Sequence, residues 1–352
     1  MRRLSLGVIA KKISHTTRLQ NMIPEDKLRE VKRVLKTTFG VTTYDDIKEL
    51  TTGLSNALVL RIEVVGKPYL LKIARTDALS DPTLYYYSCM KAGAEAGIAP
   101  KVWYTGVEDG IYIADYVDLK PFPLTEAKNK LSNVLYKLHS LPLFTKTIHS
   151  LDTFNRFAKR FRDMNILPEY MTEDIFKSLD RITNVYPQNK EDLVPCHNDL
   201  KPENILYDGK RAWLSDWEAA FNNDRYSDLS IIANFVVTNE KDESDFLNNY
   251  FGRNATIYEH ARFYLMRQIM HMSYVCVFML IVAATGKRID INAIEKYDFR
   301  DFHDRMWAGE IDLAFDDSRL EYALVHLVQL RQNLKTKRFE DSLRIVSNTD
   351  LK

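Results

Sequence analysis

His197-Asn198-Asp199-Leu200-Lys201-Pro202-Glu203-Asn204, followed by Leu214-Ser215-Asp216-Trp217-Glu218, is the stretch on which the reading of this chain turns. Two short apolar runs, Ile205 to Tyr207 and Ala212 to Ser215, flank Asp208-Gly209-Lys210, the composition of a hairpin turn. A loop leading into a hairpin returns the chain to Asp216, which predicts that Asp199, Asn204 and Asp216 converge on one cavity at a lobe junction. Phosphoryl transfer to a hydroxyl needs a carboxylate to accept the hydroxyl proton and oxygen ligands to hold Mg2+ against nucleotide phosphates. These three residues have those chemical types. The competing reading makes Asp199 and Asp216 turn or capping residues, a common use of short acidic side chains.

The same residues resemble the catalytic loop shared by eukaryotic protein kinases and the aminoglycoside phosphotransferase and choline kinase superfamily. Asn198 separates the branches: protein kinases favour Arg after the His and Phe-Gly after the metal-binding Asp. The small-molecule branch accepts His197-Asn198-Asp199 and Asp216-Trp217-Glu218, and this chain looks like that branch. The resemblance implies an α+β, two-lobed, protein-kinase-like fold with a small antiparallel sheet lobe and a larger, mainly helical lobe. It implies ATP as donor, Asp199 as catalytic base, and Asn204 and Asp216 as Mg2+ ligands. It spans roughly Leu50 to Arg305, with specific motifs around Lys72, Asp199 to Asn204 and Asp216 to Asp228. The run Asp228 to Phe235 followed by Tyr250-Phe251-Gly252 looks most like bacterial choline kinases of the lipopolysaccharide-modifying type.

Upstream, Leu28, Val31, Val34 and Leu35 recur at helical spacing between Glu25 and Phe39, and Gly40 supplies the stop. Ile47 to Thr51, Ala57 to Val65 and Tyr69 to Ala74, the last two joined by a Gly66-Lys67 turn, read as antiparallel strands. Pro82 to Ala96 reads as a helix, and Lys101 to Gly106 and Ile111 to Val117 as strands, before Pro121 and Pro123 break the chain. The expected organisation is a basic segment and helix over 1–40, a nucleotide-binding lobe over 41–117 and a catalytic and acceptor-binding lobe over 118–352. Lys72 sits inside the apolar strand Tyr69 to Ile73, where a buried ammonium needs an anionic partner; it is either the nucleotide-phosphate lysine or a lysine snorkelling to solvent. Thr52-Gly53-Leu54-Ser55-Asn56 is either an ordinary turn or a phosphate-covering loop, its order before Lys72 matching the family and assigning Ser55 and Asn56 to the nucleotide. The family joins its lobes at Ala114-Asp115-Tyr116-Val117, implying that the backbone of Asp115 and Val117 hydrogen-bonds adenine.

Beyond Thr125 the pattern turns helical: Leu131, Val134, Leu135 and Leu138, then Thr172 to Tyr186, Glu259 to Ala284 and Leu320 to Val346. By resemblance Asp228 steadies the catalytic loop, and His139 reads as a packed core histidine. Two departures from the family pattern stand out. Aligning Ala99-Pro100 with the family's end-of-helix proline places Tyr86 where a glutamate normally pairs with the lysine; Asp77 or Asp81 is then the substitute, or the register shifts, or activity is impaired. The aromatic box that choline kinases place around a quaternary ammonium would fall to Tyr274, Phe278 and Trp307, aromatics that equally suit a core. Glu218 either faces a cationic acceptor or accepts backbone hydrogen bonds in its turn.

The function read here is ATP- and Mg2+-dependent phosphorylation of a small, cationic amino alcohol such as choline or ethanolamine. An aminoglycoside or other metabolite as acceptor, and an inactive nucleotide-binding regulator, are the alternatives. Bulk properties agree: 352 residues suit two lobes, 45% hydrophobic and 28% charged residues suit a globular chain, and a net charge of +1 offers no field for nucleic acid. Cys89, Cys196 and Cys276 show no metal-type spacing, which predicts a reducing cytosol. The apolar run Met272 to Ala284 is too short for a bilayer and reads as a buried helix, so no membrane span is expected. Arg2, Arg3, Lys11, Lys12 and Arg18 make either a targeting segment or a basic tail. Oligomeric state is not encoded in any pattern found.

Overall fold

Helix α1 (Leu28–Phe39) forms because Val31, Val34 and Leu35 bury on one side, and Gly40 ends it in the left-handed conformation (φ 77°) that only a residue without Cβ adopts cheaply. The computed structural model containing it describes residues 22–50, 57–74, 85–287 and 296–348. The chain divides into two units, Met1–Asp118 and Leu119–Lys352. The basic residues from Arg2 to Arg18, the segment from Thr52 to Asn56, and Asp77 and Asp81 lie outside the described residues.

In the first unit, β1 (Asp46–Glu49), β2 (Leu58–Val64), β3 (Lys67–Ile73), β4 (Val102–Gly106) and β5 (Ile111–Asp115) pair antiparallel in the order β1-β2-β3-β5-β4. Helix α2 (Tyr86–Glu95) precedes β4 in the chain. The period-two pattern decides the faces: Leu60, Ile62 and Val64 of β2 and Tyr69, Leu71 and Ile73 of β3 join Val31, Val34 and Leu35 of α1 in one core. Leu70 and Lys72 therefore take the face away from α1. The β2–β3 turn is Val65-Gly66, both at positive φ (51° and 69°), with Val64 paired to Lys67. This corrects the expected Gly66-Lys67 turn: a two-residue connection needs two left-handed positions, and only one is a glycine.

The second unit contains α3 (Leu124–His139), α4 (Ser150–Asp163), α5 (Glu173–Val185), α6 (Arg225–Val236), α7 (Glu240–Phe251), α8 (Ile257–Ala284), α9 (Phe299–Trp307), α10 (Asp316–Asn333) and α11 (Lys337–Ser347). Two small antiparallel pairs interrupt the helices: β6 (Leu193–Cys196) with β9 (Phe221–Asp224), and the hairpin β7 (Ile205–Tyr207) with β8 (Ala212–Leu214). Helix α8 is the core. It begins two residues before the expected Glu259, where Thr256 and Glu259 form a reciprocal capping box. At 28 residues it is long and apolar enough to cross a membrane, yet Phe263, Leu265, Ile269, Met272, Val275 and Met279 are buried against α4, α6, α10 and α11. The expected single helix Leu320 to Val346 is two, α10 and α11, because Thr336 caps a new start by accepting the Phe339 N–H.

Candidate active site

Strands β6 and β9 fix the start of the loop that carries Asp199. At its mouth Asn198 adopts φ 64°, a left-handed conformation that Asn tolerates better than most residues. Its side-chain amide donates to the carbonyls of Cys196, Ala219 and Phe221 (3.3, 3.1 and 3.3 Å) and accepts from Asn223 Nδ2 at 2.8 Å. Asn198 thus ties the loop to both strands, a physical role beyond its use in separating family branches. Asp228, on α6 and wholly buried, accepts the backbone N–H groups of His197 and Asn198, each at 2.8 Å. The His197 ring sets the next turn by bonding the Ser215 carbonyl at 2.9 Å.

The Asp199 carboxylate is consequently held at a fixed loop position and partly open to solvent. Asn204 Nδ2 donates to Asp199 Oδ2 at 2.8 Å and to its carbonyl at 2.7 Å. Lys201, which the motif contained but the sequence reading left unassigned, places its ammonium 3.2 Å from Asp199 Oδ2. Its signal was adjacency alone: a lysine two positions from a candidate base.

Ile205 pairs with Leu214, and one step further the Ser215 N–H donates to the Asn204 carbonyl at 2.9 Å. The hairpin therefore brings Asn204 and Asp216 to adjacent rungs. With both Asn204 amide protons committed towards Asp199, its oxygen is directed elsewhere. That oxygen and the Asp216 carboxylate, one residue beyond the Asn204–Ser215 bond, are hard oxygen donors, the kind Mg2+ takes, so the residue types present fit that ion. Asp216 itself sits at φ 60°, the second non-glycine residue of this site in the left-handed region. Glu218 lies exposed in the short turn Trp217–Ala219, beneath which Trp217 is buried.

Tyr274 and Phe278, one turn apart on α8, have ring centroids 6.3 Å apart and both contact Tyr322 of α10, at 5.2 and 4.9 Å. Burial raises the Tyr274 phenol well above its usual range, and the charge of Asp199 adds to the shift. The buried Tyr322 phenol is raised by burial, then by Tyr274, Asp199 and Glu203. Tyr322 escaped the sequence reading because one tyrosine in an apolar helix carries no distinguishing pattern. Glu203 is exposed but partly enclosed; desolvation raises its carboxyl, Asp199 and Asp312 add, and Lys201 opposes. Trp307 is placed differently: its indole donates to the Phe122 carbonyl at 2.8 Å, and its ring packs on Phe122 and Phe235.

In the first unit, Lys72 is half-buried on β3 opposite Val59 and Tyr112. Burial raises the Tyr87 phenol of α2, its neighbour Tyr86 adds to the shift, and the Lys72 ammonium opposes it. Tyr86, at the first position of α2, packs on Tyr87 at 4.6 Å. Asp115 closes β5; its N–H donates to the Lys101 carbonyl and its carboxylate accepts from the Trp103 indole at 2.7 Å. Val117 follows two residues later. Ser55 and Asn56 lie outside the described residues.

A five-stranded antiparallel sheet unit, a helical unit and this carboxylate-amide loop define the class: a kinase-fold phosphotransferase, an enzyme that moves a phosphoryl group to an alcohol. The profile of the phosphotransferase enzyme family, abbreviated APH, matches residues 46–264, and the chain belongs to that family. It is similar to Protein LicA of Haemophilus influenzae, 25% identical over 236 residues, which is 64% of this chain and 68% of that protein. A choline/ethanolamine kinase family protein from Mesorhizobium loti shares the fold at TM-score 0.64 and 19% identity, over 91% of this chain and 99% of that one. A spectinomycin phosphotransferase in complex with ADP and spectinomycin shares it at TM-score 0.51 and 13% identity, over 85% of this chain and 98% of that one.

Proposed function

We propose that this phosphotransferase transfers the γ-phosphoryl group of ATP to the hydroxyl of a small cationic amino alcohol, choline or ethanolamine in class. The observation that carries this reading is the Asp199 carboxylate, bridged to Asn204 and 3.2 Å from Lys201, whose charge also acts on the phenols of Tyr274 and Tyr322 in the aromatic wall. Asp199 orients the acceptor hydroxyl and takes its proton as the oxygen attacks in line. Lys201 adds positive charge where the negative charge of the transferring group develops. Asn204 and Asp216 would hold Mg2+, which when bound neutralises the nucleotide phosphates. By the family resemblance, Lys72, Ser55 and Asn56 are assigned to the nucleotide phosphates and the backbone at Asp115 and Val117 to adenine. Aromatic faces attract a quaternary or primary ammonium through their quadrupoles, and Glu203 and Glu218 supply negative charge. Trp307 packs in its own cluster, with Phe122 and Phe235. The three cysteines are buried and free, which supports a reducing compartment.

Coupled ADP release with Mg-ATP against choline, ethanolamine, an aminoglycoside set and other hydroxyl metabolites tests the reading. Release dependent on the amino alcohols is expected, and Asp199→Ala lowers that turnover by about 10²- to 10⁴-fold while ATP still binds. Release only with aminoglycosides moves the acceptor class. Full turnover in the Asp199→Ala variant removes the assigned base.

A further inference from the structure

Tyr250, part of the Tyr250-Phe251-Gly252 segment, takes no part in the site as described, yet it ends a buried chain of hydrogen bonds that reaches the amides of His197 and Asn198, the two residues before Asp199. Its hydroxyl lies 2.7 Å from His139 Nδ1 and accepts from Arg225 Nη1 at 3.3 Å. His139 Nε2 lies 3.3 Å from Asp228 Oδ2, the oxygen that also accepts the His197 N–H. Tyr250, His139 and Asp228 are 2%, 8% and 0% exposed, so protein groups supply the polar partners.

The directions of these bonds follow from what each group can do. A guanidinium only donates, so the Tyr250 oxygen is the acceptor toward Arg225, and its single proton is free to point at His139 Nδ1. Nδ1 is then the acceptor and the imidazole proton sits on Nε2, where it donates to the Asp228 carboxylate. The opposite tautomer would aim the Nε2 lone pair at a buried anion. Cys196, whose sulfur is 3.8 Å from Nε2, donates instead to the Asn223 and Asp224 carbonyls and leaves that proton uncontested. Burial lowers the His139 pKa, in keeping with a neutral ring.

We propose that Tyr250 is a positioning residue for phosphoryl transfer: with Arg225 behind it, its hydroxyl holds His139 in the Nε2–H tautomer, and that tautomer completes the Asp228 clamp on the amides that present Asp199. The functional consequence rests on Asp199 as base; the hydrogen-bond order does not. In the full chain, Tyr250→Phe removes one hydroxyl and leaves the ring packing.

The variant is expected to lower kcat about tenfold, with the KM for ATP changed less than about twofold, in ADP release with Mg-ATP and choline. Nitrogen-15 spectra of the wild type show His139 protonated on Nε2, and in Tyr250→Phe the His139 signals and the His197 and Asn198 amides shift selectively. A wild-type His139 protonated on Nδ1, or a variant with wild-type kcat, overturns the proposal. The wild-type spectrum decides it even if the variant does not fold. Absence of wild-type turnover with choline would instead count against the acceptor reading.

Discussion

Asn198 illustrates how much a single amide can carry. Its backbone conformation excludes most side chains and its amide satisfies three carbonyls and one donor of the strands that frame the loop. Asn198→Ala imposes a left-handed alanine and strands several half-buried carbonyls. A loss of about 2 to 4 kcal/mol is expected, read as a lower urea midpoint, with turnover reduced in parallel. A midpoint unchanged from wild type would show that the loop holds its shape without that amide. Asp199, Asn204 and Asp216 were legible as candidates because their chemical types are scarce in combination and their spacing suits a loop and hairpin. Tyr322, Lys201 and Glu203 were not, since nothing local distinguishes a residue that becomes important only through neighbours distant in sequence.

At the scale of elements, periodicity found those with one wet face and missed those without. Helix α6 is buried from Tyr226 to Val236, so no apolar stripe repeats along it, and its start is marked only by Asp224, whose carboxylate accepts the Tyr226 N–H. The β6–β9 pair was missed because its partners are short and separated by the whole catalytic loop. The hairpin of the first sheet offers a direct test. Val65, 70% exposed, holds φ 51° in a turn that favours Asn-Gly. Val65→Asn relieves a β-branched residue in that region at little cost in burial. It is expected to add about 1 kcal/mol and to raise the Tm of the first unit by about 3 °C, measured by calorimetry. A lower Tm would show that Val65 makes a contact worth more than its strain.

Across the whole molecule, a group of buried histidines sets the response to acid. His139, His271, His303 and His326 are held neutral chiefly by burial, His303 with its pKa lowered to about 3. His271 and His326 share a bond between their Nδ1 atoms at 2.7 Å, which only one can donate. Above the ordinary histidine pKa of 6.5 neither folded nor unfolded chain binds these protons. As pH falls below it, the unfolded chain takes them up and the folded chain does not, so stability falls. Each histidine contributes up to ~1.4 kcal/mol per pH unit, and uptake of roughly three to four protons on unfolding is expected near pH 5. Urea midpoints measured from pH 7 to 5 check this; a flat profile would show the folded state accommodating charged imidazoles.

What the sequence determined by itself were the properties set by local chemistry: the loop with its carboxylates and amide, the hairpin after it, the helix α1 with its glycine stop, and the division between a strand-rich beginning and a helical remainder. These follow from residue types and spacings within a few turns of chain. Only the tertiary structure decided that Tyr274, Phe278 and Tyr322 pack together, that Trp307 packs on Phe122 and Phe235, and that Arg225, Tyr250, His139 and Asp228 form one chain of hydrogen bonds. Those outcomes depend on how helices far apart in sequence pack, and packing is a property of volumes and burial that no local pattern records.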